Sequence, residues 1–212
     1  GLESAVAAYG VDGVYICATN DAHYELCKRA LLCGKPTLVE KPFTTDAMQA
    51  KDLFALAASK DLYLCEAMWT WFSAQANEIK KRIDEGAIGD IVGGRISFCM
   101  PIAFKKSGRL LHPASGGGAL LDLGVYPIAY AYRLFGMPRE IRCSAKFACG
   151  VDVSDKITFA YDGFDIGLDA SVKSFMGVGE RLVIKGSNGK ITSGAFHSGG
   201  AFKIESGGKT FG

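Results

Sequence analysis

The rhythm of hydrophobic and polar positions changes midway along this chain. In the first half, short apolar runs alternate with segments of helical spacing. Gly13-Val14-Tyr15-Ile16-Cys17-Ala18-Thr19 is almost uninterruptedly apolar, as a strand buried on both faces is. Asn20 and Asp21 bring turn and N-cap chemistry, and Ala22 to Cys33 spaces its apolar residues as a helix until Gly34 stops it. Thr37-Leu38-Val39 reads as a second strand, and Thr44 to Ser59 as a second helix with Thr44 or Thr45 as its N-cap. Leu62 to Ala67 is a third strand, and Ser73 to Glu85 a helix ended by Gly86 and Gly89. Strands that alternate with helices predict a parallel sheet with crossover connections.

The second half is strand-rich. Ile91 to Met100 is a long strand, followed by a glycine-rich segment and one helix from about Gly118 to Phe135. After Pro138 come strands over Ile141–Cys149, Ser154–Tyr161, Asp165–Val172, Glu180–Lys185, Lys190–Thr192 and Ala201–Glu205. Asp162-Gly163 and Asn188-Gly189 are hairpin dipeptides. The expected fold is therefore α/β followed by α+β. Residues 1–72 form part of a Rossmann-type parallel sheet, and residues 73–212 an open, mostly antiparallel sheet with a packed helix. A doubly wound domain normally opens on a strand, a Gly-x-Gly-x-x-Gly turn and a helix. No such turn occurs in this sequence. Leu2 to Tyr9 reads as the tail of a crossover helix, and Gly212 follows directly on a strand, so both ends read as cut.

Composition narrows the function classes. The 212 residues are 49% hydrophobic and 22% charged with a net charge of +2, and the basic residues are scattered rather than clustered, which argues against a nucleic-acid partner. No apolar run approaches the roughly 18–20 residues that cross a bilayer, so no membrane partner is expected. Seven cysteines, without a Cys-x-x-Cys pair and mostly within apolar runs, read as reduced core thiols of a cytoplasmic protein. His23, His112 and His197 lack ligand spacing, so no metal site is expected.

Chemistry concentrates where apolar runs end. In an open α/β sheet ligands bind at the carboxyl ends of the strands, and three stations fall there. Asn20 and His23 follow the first strand, Glu40 and Lys41 the second, and Glu66 to Trp69 the third. The run Gly34-Lys35-Pro36-Thr37-Leu38-Val39-Glu40-Lys41-Pro42 stops a strand on a carboxylate and an ammonium, and Pro42 blocks its extension. The plainer alternatives are a surface ion pair at Glu40 and Lys41, a helix cap at Asn20, a structural histidine at His23, and interdomain core at Trp69 and Trp71. A fourth station is Ser115-Gly116-Gly117-Gly118-Ala119-Leu120-Leu121-Asp122-Leu123-Gly124-Val125-Tyr126-Pro127. Its glycines allow close backbone approach, and Asp122 and Tyr126, four apart, share a helix face. They either line a pocket or bond to each other in a tight helix–sheet contact.

Together and in this order, these segments resemble the Gfo/Idh/MocA oxidoreductase family, whose hallmark is Glu-Lys-Pro. The run Glu66-Ala67-Met68-Trp69-Thr70, with tyrosine rather than histidine at position 126, resembles the trans-1,2-dihydrobenzene-1,2-diol dehydrogenase and NADP-dependent D-xylose dehydrogenase branch, and also glucose–fructose oxidoreductase. The resemblance implies hydride transfer between a sugar or cyclic-diol carbon and NADP or NAD. It implies Tyr126 as acid/base and Lys41 as the cation that tunes it, because a phenol of pKa near 10 needs a nearby positive charge to act at neutral pH. It implies Thr19, Asn20, His23, Glu40, Lys41 and Pro42 on the cofactor side, and Trp69, Phe98, Asp122 and Tyr126 on the substrate side. A homodimer or larger assembly through the C-terminal sheet is implied as well. Trp71 and Ala74 stand where the branch carries arginine and proline, which leaves the substrate open. Two further readings remain: a non-catalytic relative used as a sensor, and a dimerisation module.

Overall fold

In the computed structural model of the chain, residues 1–7, 10–101, 108–173 and 179–211 are described. The chain divides into two compact units, Gly1–Met68 with Ser107–Gly117, and Trp69–Lys106 with Gly118–Gly212.

The first unit carries a three-stranded parallel sheet in the order β1 (Val14–Ile16), β2 (Thr37–Val39), β3 (Leu64–Glu66). Ile16, Val39 and Glu66 stand in one register row, so all three strands release the chain at the same edge. Helices α1 (Leu2–Val6), α2 (His23–Leu32) and α3 (Ala47–Ser59) accompany the sheet. Of the N-terminal helical piece expected, Ala8 and Tyr9 lie outside the described residues. Helix α2 buries Cys27, Ala30 and Leu31, an i, i+3, i+4 stripe. Cys27 and Leu31 of that stripe meet Ile16, Val39, Phe43, Leu53 and Ala57 in one core cluster, where each large aliphatic side chain contributes about 1.5–3 kcal/mol on burial. The cap of α3 is neither Thr44 nor Thr45. Asp46 takes the position, and its carboxylate accepts from the amides of Met48 and Gln49 at 2.8 and 2.9 Å. A carboxylate supplies two strong acceptor lone-pair sets to adjacent unpaired amides, whereas the Thr44 hydroxyl turns to the Asp46 carbonyl.

The second unit is an eight-stranded sheet of β4 (Ile91–Cys99), β5 (Glu140–Ala148), β6 (Val151–Ala160), β7 (Asp165–Ser171), β8 (Gly179–Gly186), β9 (Gly189–Ser193), β10 (Phe202–Ser206) and β11 (Lys209–Phe211). Their order is β11-β10-β9-β8-β4-β7-β6-β5. Every neighbouring pair is antiparallel except β4 and β7, which run parallel from Gly94↔Ile166 to Cys99↔Ser171. Alternation sets one buried face: Val153, Ile157 and Phe159 on β6, Ile166, Leu168 and Ala170 on β7, Leu182 and Ile184 on β8, and Ile96 and Phe98 on β4. Helices α4 (Ala74–Asp84) and α5 (Val125–Phe135) belong to this unit, and α5 buries Tyr130, Ala131 and Leu134. Gln75 on α4 ties the parts together. Its amide donates to Ser193 Oγ at 3.1 Å and to the Gly200 carbonyl, while its oxygen accepts from Tyr130 Oη at 3.1 Å.

The helix expected from Gly118 is interrupted. Residues Leu120–Gly124 form a π-helical turn that leads into α5. Asp152 fixes its start, accepting from the Leu120 amide at 2.6 Å. The thiols also differ from the expectation. Only Cys27 and Cys99 are buried, whereas Cys17, Cys33, Cys143 and Cys149 are exposed. Cys17 lies past the end of β1, Cys33 caps α2, Cys143 sits on the exposed edge strand β5, and Cys149 occupies a turn, so apolar neighbours in sequence did not make these positions core. No helix among the described residues is long and apolar enough to cross a membrane.

Candidate functional site

Within the first unit, the sequence-predicted cofactor-side residues gather at the carboxyl edge of β1, β2 and β3. Thr19 is exposed, and Asn20 is only 5% exposed, its Nδ2 donating to the Gly116 carbonyl at 2.8 Å. His23 opens α2 with no exposed surface. Its Nδ1 lies 2.8 Å from the Pro42 carbonyl and its Nε2 3.2 Å from the Ala18 carbonyl. The Glu40 carboxylate is held at both oxygens, by the Tyr15 hydroxyl and, at 3.1 Å, by the Lys41 amide. That hydrogen bond, with smaller contributions from desolvation and from charge, pushes the Tyr15 phenol up to about 12. Lys41 is half-buried and Pro42 buried. Glu66, the last residue of β3, accepts from the Phe43 amide at 2.8 Å. Burial pushes its carboxyl up, opposed by that amide and by the charge of Lys41.

The three glycines face the protein's own atoms. Gly116 has φ +65°, and a Cβ there would come within 2.8 Å of Asn20 Cβ. A Cβ on Gly117 would lie 2.6 Å from the Leu110 carbonyl oxygen. In the second unit, one on Gly118 would lie 2.2 Å from Asp152 Oδ1. Close approach is therefore what these positions require, and the partners are side chain and backbone of this chain.

Within the second unit, Tyr126 is 6% exposed and lies among rings. Its ring centroid stands 5.7 Å from Phe98, 6.4 Å from Trp69 and 4.3 Å from His197. His197 in turn contacts Trp69 at 4.6 Å and Phe98 at 4.8 Å. Trp69 remains 47% exposed, so the cluster has one wet wall. Sequence reasoning missed His197, because it sits in a loop far from every motif and only the fold delivers it. Glu180 holds it there. One carboxylate oxygen accepts from the amides of His197 and Ser198 at 2.5 and 3.2 Å, and the other lies 3.4 Å from His197 Nδ1. Asp122 is buried in the π-helical turn that precedes Tyr126. The pair thus does not share an uninterrupted α-helical face, since a π turn is wider than an α turn. Trp71 stacks on Tyr132 at 5.9 Å and lies 5.1 Å from the Arg133 guanidinium.

Residues 2–67 match the model of an oxidoreductase family with an NAD-binding Rossmann fold, and residues 76–192 match the GFO/IDH/MocA C-terminal domain. The chain is similar to dTDP-3,4-didehydro-2,6-dideoxy-alpha-D-glucose 3-reductase of Actinomadura kijaniata, with 42% identity over 61% of this chain and 39% of that protein. It is similar to the NADP-dependent D-xylose 1-dehydrogenase of Hypocrea jecorina, with 31% identity over 74% of this chain and 44% of the relative. The chain thus spans less than half of either of these two relatives. Among solved structures, a 3-ketoreductase from Actinomadura kijaniata in complex with NADP and TDP-benzene superposes with a TM-score of 0.89 at 28% identity, covering 100% of this chain and 67% of that one.

Proposed function

This chain belongs to the Gfo/Idh/MocA oxidoreductase family, and from that premise we propose that it serves hydride transfer between a sugar or cyclic-diol CH–OH group and NADP or NAD. The observation that carries the reading is the Tyr126 phenol, enclosed by Phe98, His197 and the half-exposed Trp69. Such a wall suits the apolar face of a sugar or diol ring, and the phenol suits the hydroxyl proton.

The donor set at the sheet edge fits the nicotinamide end of a dinucleotide. A carboxamide (Asn20), a carboxylate (Glu40) and an ammonium (Lys41) offer both hydrogen-bond polarities to amide and ribose hydroxyl groups. These residues, with Thr19 and Pro42, would hold that end, and the bound cofactor supplies the hydride acceptor. Tyr126 accepts the hydroxyl proton as acid/base, and Lys41 is the cation that stabilises its phenolate. Trp69, Phe98 and Asp122 are the substrate-side residues. NADP is favoured over NAD by the D-xylose 1-dehydrogenase relative. The cofactor-side residues fall in the unit that holds residues 1–68, and the substrate-side residues in the unit that holds residues 69–106 and 118–212. Edge strand β5 exposes Ile141 and Phe147, which supports a homodimer through the C-terminal sheet. Four exposed free thiols suit a reducing, cytoplasmic location.

The test uses this chain preceded by a βαβ unit with a Gly-x-Gly-x-x-Gly turn, because its own sequence holds no such turn. NADPH absorbance is followed with D-xylose, a trans-dihydrodiol and, in the reductive direction, a dTDP-ketosugar. Tyr126→Phe is expected to lower kcat by ~100-fold or more with unchanged cofactor affinity. Wild-type turnover in the Phe variant removes Tyr126 from the reaction. Tight NADPH binding with no turnover of any substrate favours the sensor.

A further inference from the structure

Resting on the reading of Lys41 as the active amine, we propose that His23 and Glu66 clamp the Pro42–Phe43 peptide from its two sides and so act as positioning residues for Lys41. The Pro42 carbonyl and the Phe43 amide belong to one rigid peptide plane. His23 Nδ1 stands 2.8 Å from that carbonyl, and Glu66 Oε1 accepts from that amide at 2.8 Å. The two side chains come from different elements, the first residue of α2 and the last of β3. A plane gripped at both polar ends from two anchored elements cannot rotate about the chain axis. The next atoms upstream are the ring of Pro42, whose φ is fixed covalently, and then the Cα of Lys41. Downstream, the Phe43 ring is buried in the core cluster and packs on Phe54 at 5.0 Å. His23 and Glu66 therefore fix the backbone from which the half-buried Lys41 side chain springs.

The second nitrogen of His23, Nε2, lies 3.2 Å from the Ala18 carbonyl, just beyond β1. Both partners are carbonyl acceptors and a neutral imidazole carries a single N–H, so the hydrogen bond is assigned to the shorter contact, at Pro42, and the clamp joins the exits of β2 and β3. His23 has no exposed surface in this arrangement.

Three readouts test the clamp, two of them independent of turnover. In the chain itself, NMR hydrogen exchange should show the Phe43 amide protected, and Glu66→Leu should speed its exchange about tenfold or more while the amides of Leu53 and Ala57 stay unchanged. Glu66→Gln keeps the acceptor oxygen and should stay within about threefold of wild type. The Lys41 amine, tagged by 13C reductive methylation, should shift or broaden in Glu66→Leu and in His23→Phe, and not in Glu66→Gln. In the extended enzyme, kcat should fall about tenfold in the Leu and Phe variants with KM changed less than about twofold, and Gln should restore it. Should Glu66→Leu fail to fold, His23→Phe reads the same clamp from the carbonyl side, and wild-type Phe43 exchange reads it without any substitution. The clamp is overturned if Phe43 exchanges as freely as an exposed amide, if Gln behaves as Leu does, or if the Lys41 resonance ignores the variants. A wild-type enzyme that turns over no substrate overturns the functional reading alone, and the exchange and methyl signals still decide the clamp.

Discussion

Gln75 is the clearest place to test how the second unit is held together. It is 6% exposed, and its carboxamide serves three partners. Replacement by leucine keeps much of the volume and removes all three hydrogen bonds. The partners do not suffer equally. Ser193 Oγ still donates to the Ala201 carbonyl and accepts from the Ala195 amide, both at 3.2 Å. Tyr130, 2% exposed, loses the bond from its hydroxyl to Gln75. A buried hydroxyl left without a partner costs about 1–3 kcal/mol, and each net bond lost adds about 1 kcal/mol. Leucine returns part of this through apolar contact, so the expected destabilisation of Gln75→Leu is ~2–4 kcal/mol. For a unit of this size that is a fall in Tm of roughly 5–12 °C. The assay is urea and thermal unfolding followed by tryptophan emission. Both tryptophans of the chain, Trp69 and Trp71, lie in this unit. A double-mutant cycle sharpens the test. Tyr130→Phe should destabilise the wild-type background by about 1 kcal/mol and be neutral or stabilising in the Gln75→Leu background. A Gln75→Leu variant within about 0.5 kcal/mol of wild type, or strict additivity with Tyr130→Phe, would refute the reasoning.

Two further outcomes follow from the same unit. Asp155 is 5% exposed, and its carboxyl is pushed up first by burial and then by its hydrogen bond to Asp152. A carboxyl raised in the folded state binds its proton more tightly there than in the unfolded chain, so stability falls as pH climbs from the ordinary carboxylate range toward neutrality. Asp155→Asn keeps a donor toward Asp152 without the charge. Calorimetry should show it equal to wild type near pH 3 and higher in Tm by ~3–6 °C at pH 8; a pH-independent difference speaks against the assignment. Glu180→Ala removes the acceptor of two loop amides and should cost about 1–3 kcal/mol. It should also shift Trp69 emission, since His197 packs on that ring; unchanged emission would mean that the loop keeps its place without Glu180.

Much of this molecule is written in local pattern. The parallel unit was legible because short apolar runs, turn residues and helices alternate along it, and Thr37–Val39 matches its expected limits, although Tyr15 and Leu38 are 55% and 38% exposed, so β1 and β2 are not buried on both faces. The hairpin meander was legible from Asp162-Gly163 and Asn188-Gly189, although the second turn centres on Ser187 and Asn188, with Gly186 paired to Gly189. What escaped is long-range. Periodicity says nothing about a strand from the start of a domain entering the middle of its sheet, as β4 does. The π turn at Leu120–Gly124 has no spacing signature separate from that of an α-helix, so Asp122 was assigned to the wrong kind of turn. The grouping of sheet-edge residues was readable, because strand ends in a parallel sheet share an edge by construction. The presence of His197 beside Tyr126 was not, because neither its neighbours nor its spacing set it apart from any exposed loop histidine.

The parallel neighbours β4 and β7 constrain how the second unit comes into being. Strands β5, β6 and β7 can zip as one local meander, and β8 to β11 as another, each from turn to turn. Among the described residues, neither meander is bonded to the other. Only β4 bridges them, and it is separated from the strands it joins by the entire helical and glycine-rich stretch. Closing that distance is slow for entropic reasons. Loop closure thus disfavours early entry of β4 between the two meanders, and any state without it leaves the edges of β7 and β8 open as templates for mispairing.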